Sequence, residues 1–175
     1  APAPPTASIS LEAFKGAPLV ATVHSAFALD DLLGHFLADH VLELERVPAS
    51  LVVLGAGAVG SEFASIFHSF GSQVTLVEML PRALATEDED MSIIIEREMK
   101  KVKIDLVPNT KIETLLKADD GTVAATLSNG RQVRVAQVLV SIGRSMNSEG
   151  IGLEDAGVGK GKRGEIIVNE RMETS

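Results

Sequence analysis

The sequence contains no cysteine. That excludes disulfides, thiolate metal sites and dithiol redox chemistry carried by residues of this chain. Tryptophan and tyrosine are also absent, and aromatic residues amount to only 3%, so platforms for stacking nucleobases are scarce. Positive charge is in the minority: 16 Lys and Arg stand against 24 Asp and Glu, leaving a net charge of −8. Such a chain complements neither nucleic acid nor an anionic membrane, and no partner of either kind is expected. No apolar run reaches membrane-spanning length. The opening "APAPPTASIS" has neither the basic nor the apolar region of a signal peptide. The histidines, His24, His35, His40 and His68, show no zinc-like pairing and read as surface or packing residues; no metal site is expected.

What is present suits one ordinary domain with appendages: 175 residues, 45% hydrophobic and 23% charged. Residues 1–46 read as an N-terminal leader that begins Pro/Ala-rich and flexible. Within it Leu29, Leu32, Leu33, Phe36 and Leu37 fall at helical spacing behind Asp30 and Asp31, which suggests one amphipathic helix over about residues 29–42. The chain begins at Ala1 rather than Met, which fits a processed form or a fragment.

From Val47 the pattern sharpens. Residues 51–54 form a short apolar run like a buried strand. Val59, Phe63, Ile66, Phe67 and Phe70 follow on one predicted helical face, and Gly71 supplies a stop. "QVTLVE" reads as a second strand. "EDED" places negative charge at the start of a second helix, with Met91, Ile95, Met99 and Val102 on its apolar face. Residues 104–107 read as a third strand. The order β-α-β-α-β, with right-handed crossovers, makes the strands parallel. "TKIETLL", "TVAATL" and "RQVRV" are then short β segments separated by Asp120-Gly121 and Asn129-Gly130, both hairpin signals. A fourth parallel strand, "VLVSI", reaches Gly143, and a Gly-rich tail over 144–175 carries one further predicted strand at 166–168. The fold class expected is α/β: a Rossmann-like parallel sheet over residues 47–143 with an inserted antiparallel β-meander.

Gly55-Ala56-Gly57-Ala58-Val59-Gly60 is a G-x-G-x-x-G motif between a predicted strand and a predicted helix, the context that gives the motif meaning. Gly55 permits a tight turn, Gly57 lets backbone approach a pyrophosphate, and Gly60 allows close helix–strand packing. The helix N-terminus offers unpaired N–H groups to phosphate. Glu78 ends the second strand, where an acidic residue accepts both ribose hydroxyls and repels a 2′-phosphate, which favours NAD over NADP. A sharp turn with no ligand remains the alternative reading of the glycines. On propensity, Glu62 is a solvated helix residue, with a functional role as its alternative.

"VPASLVVLGAGAVGSEFASIFHSFGSQVTLVEMLPRALATEDEDMS" resembles the NAD-binding domain of the dihydrolipoamide dehydrogenases, within the FAD-dependent pyridine nucleotide–disulfide oxidoreductases. "PNTKI", "VLVSIGR" and "GIGLEDAGV" resemble later landmarks of that family in the same order. The resemblance implies that Gly55, Ala56, Gly57, Ala58, Val59, Gly60, Ser61 and Glu62 wrap the pyrophosphate, with Glu62 near the nicotinamide. It further implies that Glu78 holds the adenosine ribose, that Ile112 lies beside the adenine, and that Gly143 closes over the dinucleotide. NADP-using relatives carry basic residues where this chain has Glu78 and its neighbours.

The resemblance also has gaps. The family's FAD-binding motifs, its reactive cysteine pair and its C-terminal dimerisation domain with a His–Glu acid–base pair have no counterpart here. Residues 1–46 do not align with the family's preceding segment. The chain is therefore expected to be the cofactor module of a flavoenzyme, cut out or naturally truncated, which binds NAD or NADH but holds no FAD itself and is inactive alone. In the complete enzyme, electrons would pass from dihydrolipoamide through a disulfide and FAD to NAD. The implied partners are a second copy in a homodimer and lipoylated components of a 2-oxoacid dehydrogenase complex. The implied location is the cytoplasm or the mitochondrial matrix. Two alternatives stand beside this: a stand-alone dinucleotide-binding or interaction module, and the NAD domain of another flavin disulfide reductase such as an NADH oxidase or a mercuric reductase.

Overall fold

The computed structural model describes residues 19–21, 41, 44–143 and 146–175. Strands β1 (Leu19–Ala21), β2 (Ser50–Leu54), β3 (Gln73–Val77), β4 (Asp105–Val107) and β8 (Gln137–Val140) form a five-stranded, wholly parallel sheet in the order β1-β8-β2-β3-β4. Helices α1 (Ala58–Ser69) and α2 (Glu89–Lys101) make the crossovers from β2 to β3 and from β3 to β4. Strands β5 (Ile112–Lys117), β6 (Val123–Leu127) and β7 (Gln132–Val135) form a separate antiparallel meander. The expected α/β architecture is thus present. No helix among the described residues is long and apolar enough to cross a membrane.

Alternation along the central strands splits the core into two layers. Val52, Leu54, Val77, Val138 and Val140 point to one side and pack on Ile112, Leu115, Val123, Leu127 and Val135 of the meander. Leu51, Val53, Val74, Leu76 and Leu139 point to the other side, against Ala64 and Phe67 of α1 and Met99 of α2. Both faces of the parallel sheet are therefore covered, which is why its strands read as continuous apolar runs.

Several local expectations need correction. The buried face of α1 is Gly60, Ser61, Ala64 and Phe67; Ile66 and Phe70 are 44% and 65% exposed. Small residues let the helix lie close to the sheet, so the large apolar residues are not all on the packed side. On α2 the buried residues are Ser92 and Met99, while Met91 and Val102 are exposed. The strand expected at 166–168 reduces to a single bridge between Ile166 and Lys160. The fourth core strand ends at Val140, short of Gly143. Strand β1 lies within the segment read as a leader and pairs with β8. The amphipathic helix expected over residues 29–42 lies outside the described residues, apart from Val41, which is buried in the helix-side core.

Both helices end in the same device. Beyond α1, the Gly71 N–H donates to the His68 carbonyl at 2.9 Å and the Ser72 N–H to Phe67 at 3.0 Å. Beyond α2, the Lys103 N–H donates to Lys100 at 3.1 Å and the Ile104 N–H to Met99 at 2.9 Å. These are Schellman motifs, and in the second a lysine with φ +67° occupies the left-handed position usually given to glycine. At the start of α2 the Asp88 side chain accepts from the Asp90 N–H at 3.0 Å, so the acidic run is a helix N-terminus.

Candidate dinucleotide site

The chain runs outward from β2 through β3 to β4, then returns to the other side of β2 as β8. The direction switches between β2 and β8, and at such a point a parallel sheet opens a crevice beyond the carboxyl ends of its strands. The glycine motif occupies that place. Gly55 follows β2 with φ +98°, and a Cβ there would lie 2.2 Å from the Ser141 carbonyl oxygen. The backbone leaving β8 therefore presses directly on the backbone leaving β2. A Cβ on Gly60 would lie 1.9 Å from the Gly55 carbonyl oxygen, so its lack of side chain lets α1 turn back onto the loop. Both glycines answer to protein atoms.

Gly57 does not. It caps α1 at φ −70° and ψ −175°, ordinary extended backbone, and a Cβ added there meets no atom within 4 Å. Neither its conformation nor packing among the described residues requires glycine at this position. A side chain there would project into open space in front of the loop. Facing that space is the start of α1, which has no side-chain cap and no acidic residue in its first turn. The N–H groups of Ala58, Val59 and Gly60 have no acceptor within the helix. Amide donors, a helix dipole and clear space suit an anionic group such as a pyrophosphate.

Glu78 follows β3 and is 9% exposed. One carboxylate oxygen, Oε2, accepts from the Ala56 N–H at 2.6 Å, and Oε1 accepts from the Leu80 N–H at 2.8 Å. Its main chain is fixed too: the Glu78 N–H donates to Val107, and its carbonyl accepts from Thr110. The carboxylate therefore reaches across 22 residues of sequence to the middle of the glycine motif. Each oxygen keeps a further lone pair for an incoming hydroxyl.

Ala56 is held at its carbonyl as well, accepting from the Leu84 N–H at 2.8 Å and from the Ser61 hydroxyl at 3.2 Å. Ser61 is thus a buried support of the loop. The structure brings residues 55–61 and Glu78 together, with Gly143, exposed at φ +113°, just beyond the Ser141 contact. Glu62 is exposed on α1. The Ile112 side chain is buried at the start of β5, in the core layer between sheet and meander.

Sequence reasoning missed the support behind this loop. Arg82 Nη1 donates to the Ser92 hydroxyl and, at 3.5 Å, to the Leu84 carbonyl. Its Nη2 donates to the carbonyls of Ala85 at 3.2 Å and Glu87 at 3.0 Å. The Ser92 hydroxyl donates to the Ala83 carbonyl at 2.7 Å, and Glu96 accepts from the Ala83 N–H at 2.9 Å. The one sequence signal was Arg82 as the lone basic residue between Glu78 and Glu87.

Residues 28–175 match the pyridine nucleotide-disulphide oxidoreductase family. The chain belongs to that family. Within it, the chain is 38% identical over 135 residues to the dihydrolipoyl dehydrogenase of Thermus scotoductus, a match covering 75% of this chain and 29% of that protein. It is 34% identical over 136 residues to the mercuric reductase of Staphylococcus aureus, covering 77% of this chain and 25% of that one. In three dimensions it resembles the HOCl-induced flavoprotein disulfide reductase RclA of Escherichia coli, with a TM-score of 0.71, 27% identity, and coverage of 99% of this chain and 34% of that one. The chain thus spans only about a quarter to a third of these oxidoreductases.

Proposed function

We propose that this chain is the NAD-binding module, over residues 47–143, of a flavin-dependent dihydrolipoyl dehydrogenase. The observation that carries the reading is Glu78: a carboxylate at the end of β3, held against the glycine motif, in the position where ribose hydroxyls are accepted and a 2′-phosphate is repelled. Gly57 and the open N-terminus of α1 support a pyrophosphate beside it. On this reading residues 55–61 hold the pyrophosphate, Glu62 lies toward the nicotinamide, Ile112 backs the adenine, and Gly143 closes the far side. NAD, when bound, supplies a hydride acceptor; this chain's residues bind it, orient it and select it over NADP. The chain has no cysteine, so the dithiol step belongs to another part of the complete enzyme, and the FAD is proposed to sit there too because neither of the family's FAD-binding motifs has a counterpart here. A second copy and lipoylated 2-oxoacid dehydrogenase components are its proposed partners there.

The test is a titration of the chain with NADH and NADPH by calorimetry. NADH is expected to bind in the micromolar-to-millimolar range, about −4 to −8 kcal/mol, because the flavin face that completes the site is not part of this chain. NADPH should bind more weakly. Absence of heat at millimolar NADH, or tighter NADPH binding, would overturn the reading. The mercuric reductase relative makes the substrate a separate question. The longer protein should form NADH with dihydrolipoamide; mercuric-ion reduction without that activity would assign it to the other branch.

A further inference from the structure

We infer that Arg82 is a positioning residue for the dinucleotide site, acting through Leu84 and Ala56 on the Gly57 amide. The inference rests on the reading of residues 55–60 as a dinucleotide cradle, and deepens it. Arg82 is half-buried and binds no atom of the glycine motif. Instead it gathers the loop that follows Glu78. Its guanidinium holds the carbonyls of Leu84, Ala85 and Glu87 together with the Ser92 hydroxyl of α2. Ser92 and Glu96 bind the carbonyl and the N–H of Ala83, whose side chain packs in the same core layer as Ala56 and Ala64. The loop becomes a shelf fixed to α2.

That shelf makes one polar contact with the motif, the Leu84 N–H on the Ala56 carbonyl at 2.8 Å. Leu84 adopts φ +50° to make it, a conformation that costs a non-glycine residue energy and needs outside support. The Ala56 carbonyl and the Gly57 N–H belong to one planar trans peptide, so they point in opposite directions. Fixing the carbonyl from the shelf side aims the Gly57 N–H toward the open cradle. Glu78 fixes the other end of Ala56 through its N–H. Arg82, acting through Leu84 and alongside the Ser61 hydroxyl, and Glu78 therefore set the orientation of two successive peptides at the point where a pyrophosphate would meet backbone.

The same contacts settle what Arg82 does not do. With both terminal nitrogens committed to Ser92, Leu84, Ala85 and Glu87, the single cation of this loop is engaged by the shelf itself. Its loss should weaken NADH and NADPH by the same factor.

The experiment uses the whole chain as wild type, Arg82→Met, Ser92→Ala and, as a comparison, Arg131→Met. Arg131 pairs with Asp105 at the opposite end of the strands, so its loss tests stability alone. Amide hydrogen exchange of the empty chain should show faster exchange at Leu84 and Ala56 in Arg82→Met, a smaller rise in Ser92→Ala, and none in Arg131→Met. NADH and NADPH dissociation constants, measured well below each melting midpoint, should both rise about tenfold in Arg82→Met, the equivalent of one charge-assisted amide–phosphate bond. They should stay put in Arg131→Met even if its melting midpoint falls. Unchanged exchange at Leu84 in Arg82→Met overturns the inference, as does a selective loss of NADPH. If the wild type binds neither nucleotide, the reading of the cradle falls while the exchange result still decides the role of Arg82. Should Arg82→Met fail to fold, Ser92→Ala carries the same comparison.

Discussion

Replacing Glu78 with glutamine tests the site at its most informative atom pair. The change is nearly isosteric and removes one acceptor. In the wild type both carboxylate oxygens accept backbone N–H groups, Ala56 at 2.6 Å and Leu80 at 2.8 Å. Glutamine offers one oxygen and one NH2, so in either orientation a donor faces a donor. Ala56 is almost fully buried, so the glutamine oxygen stays on its N–H and the NH2 is turned to the half-buried Leu80 N–H, which loses its acceptor. An unsatisfied buried N–H costs about 1–3 kcal/mol, and for a domain of this size that corresponds to a fall in melting midpoint of roughly 2–12 °C. The same substitution removes the negative charge that opposes a 2′-phosphate, so discrimination between NAD and NADP should narrow. Glu78→Arg should shift preference further toward NADP, since guanidinium pairs with phosphate. It should also destabilise the empty chain more than glutamine does, because it aims donors at both N–H groups. Thermal melts and NAD and NADP titrations on the three proteins check both halves. A Glu78→Gln protein that melts within a degree of wild type with an unchanged NAD-to-NADP ratio would refute the argument.

The second and third glycines of the motif should separate in the same assays. Gly57→Ala, whose Cβ meets nothing within 4 Å, should leave stability unchanged and weaken both nucleotides alike. Gly60→Ala, with a Cβ 1.9 Å from the Gly55 oxygen, should lower stability by about 1–3 kcal/mol or more. Lys103→Gly should raise stability by about 0.5–1 kcal/mol, read from denaturant midpoints, because it relieves a left-handed lysine at a helix terminus. The Asp120 carboxyl is held down to about 2, first by the Thr122 hydroxyl, then by the Thr122 N–H and Arg134. Its folded value lies below the unfolded one, so its contribution is complete above about pH 4 and is lost as pH falls through about 2. In a carboxyl titration by NMR, Thr122→Val should raise that value more than Arg134→Ala does. The chain purified alone should form no NADH from dihydrolipoamide, since it lacks cysteine, and should carry no flavin absorbance, since neither of the family's FAD-binding motifs has a counterpart in its sequence.

Local chemistry alone determined much of this protein. The apolar run of β2, the turn at Gly55, the Asp88 cap and the Asp120-Gly121 and Asn129-Gly130 hairpins all depend on residues within a few positions of one another. So the order of elements, the parallel sheet and the place of the glycine motif could be read directly. Tertiary structure decided which face of each helix is buried. Periodicity marks an apolar stripe, but close approach to the sheet selects Gly60 and Ala64 over Ile66 and Phe70, and hydrogen bonds to the loop after β3 bury Ser92 rather than Met91. It also decided that Leu19–Ala21 joins the sheet through β8, over a hundred residues away in sequence. The support of the site was invisible for the same reason. Glu78 meets Ala56 across 22 residues and Arg82 meets Ser92 across 10, and neither pair leaves a periodic trace. The first bond exists only once the crossover has brought the ends of β2 and β3 side by side, where the carboxylate finds a backbone N–H of the glycine turn, and the second only once the loop after β3 has folded back against α2.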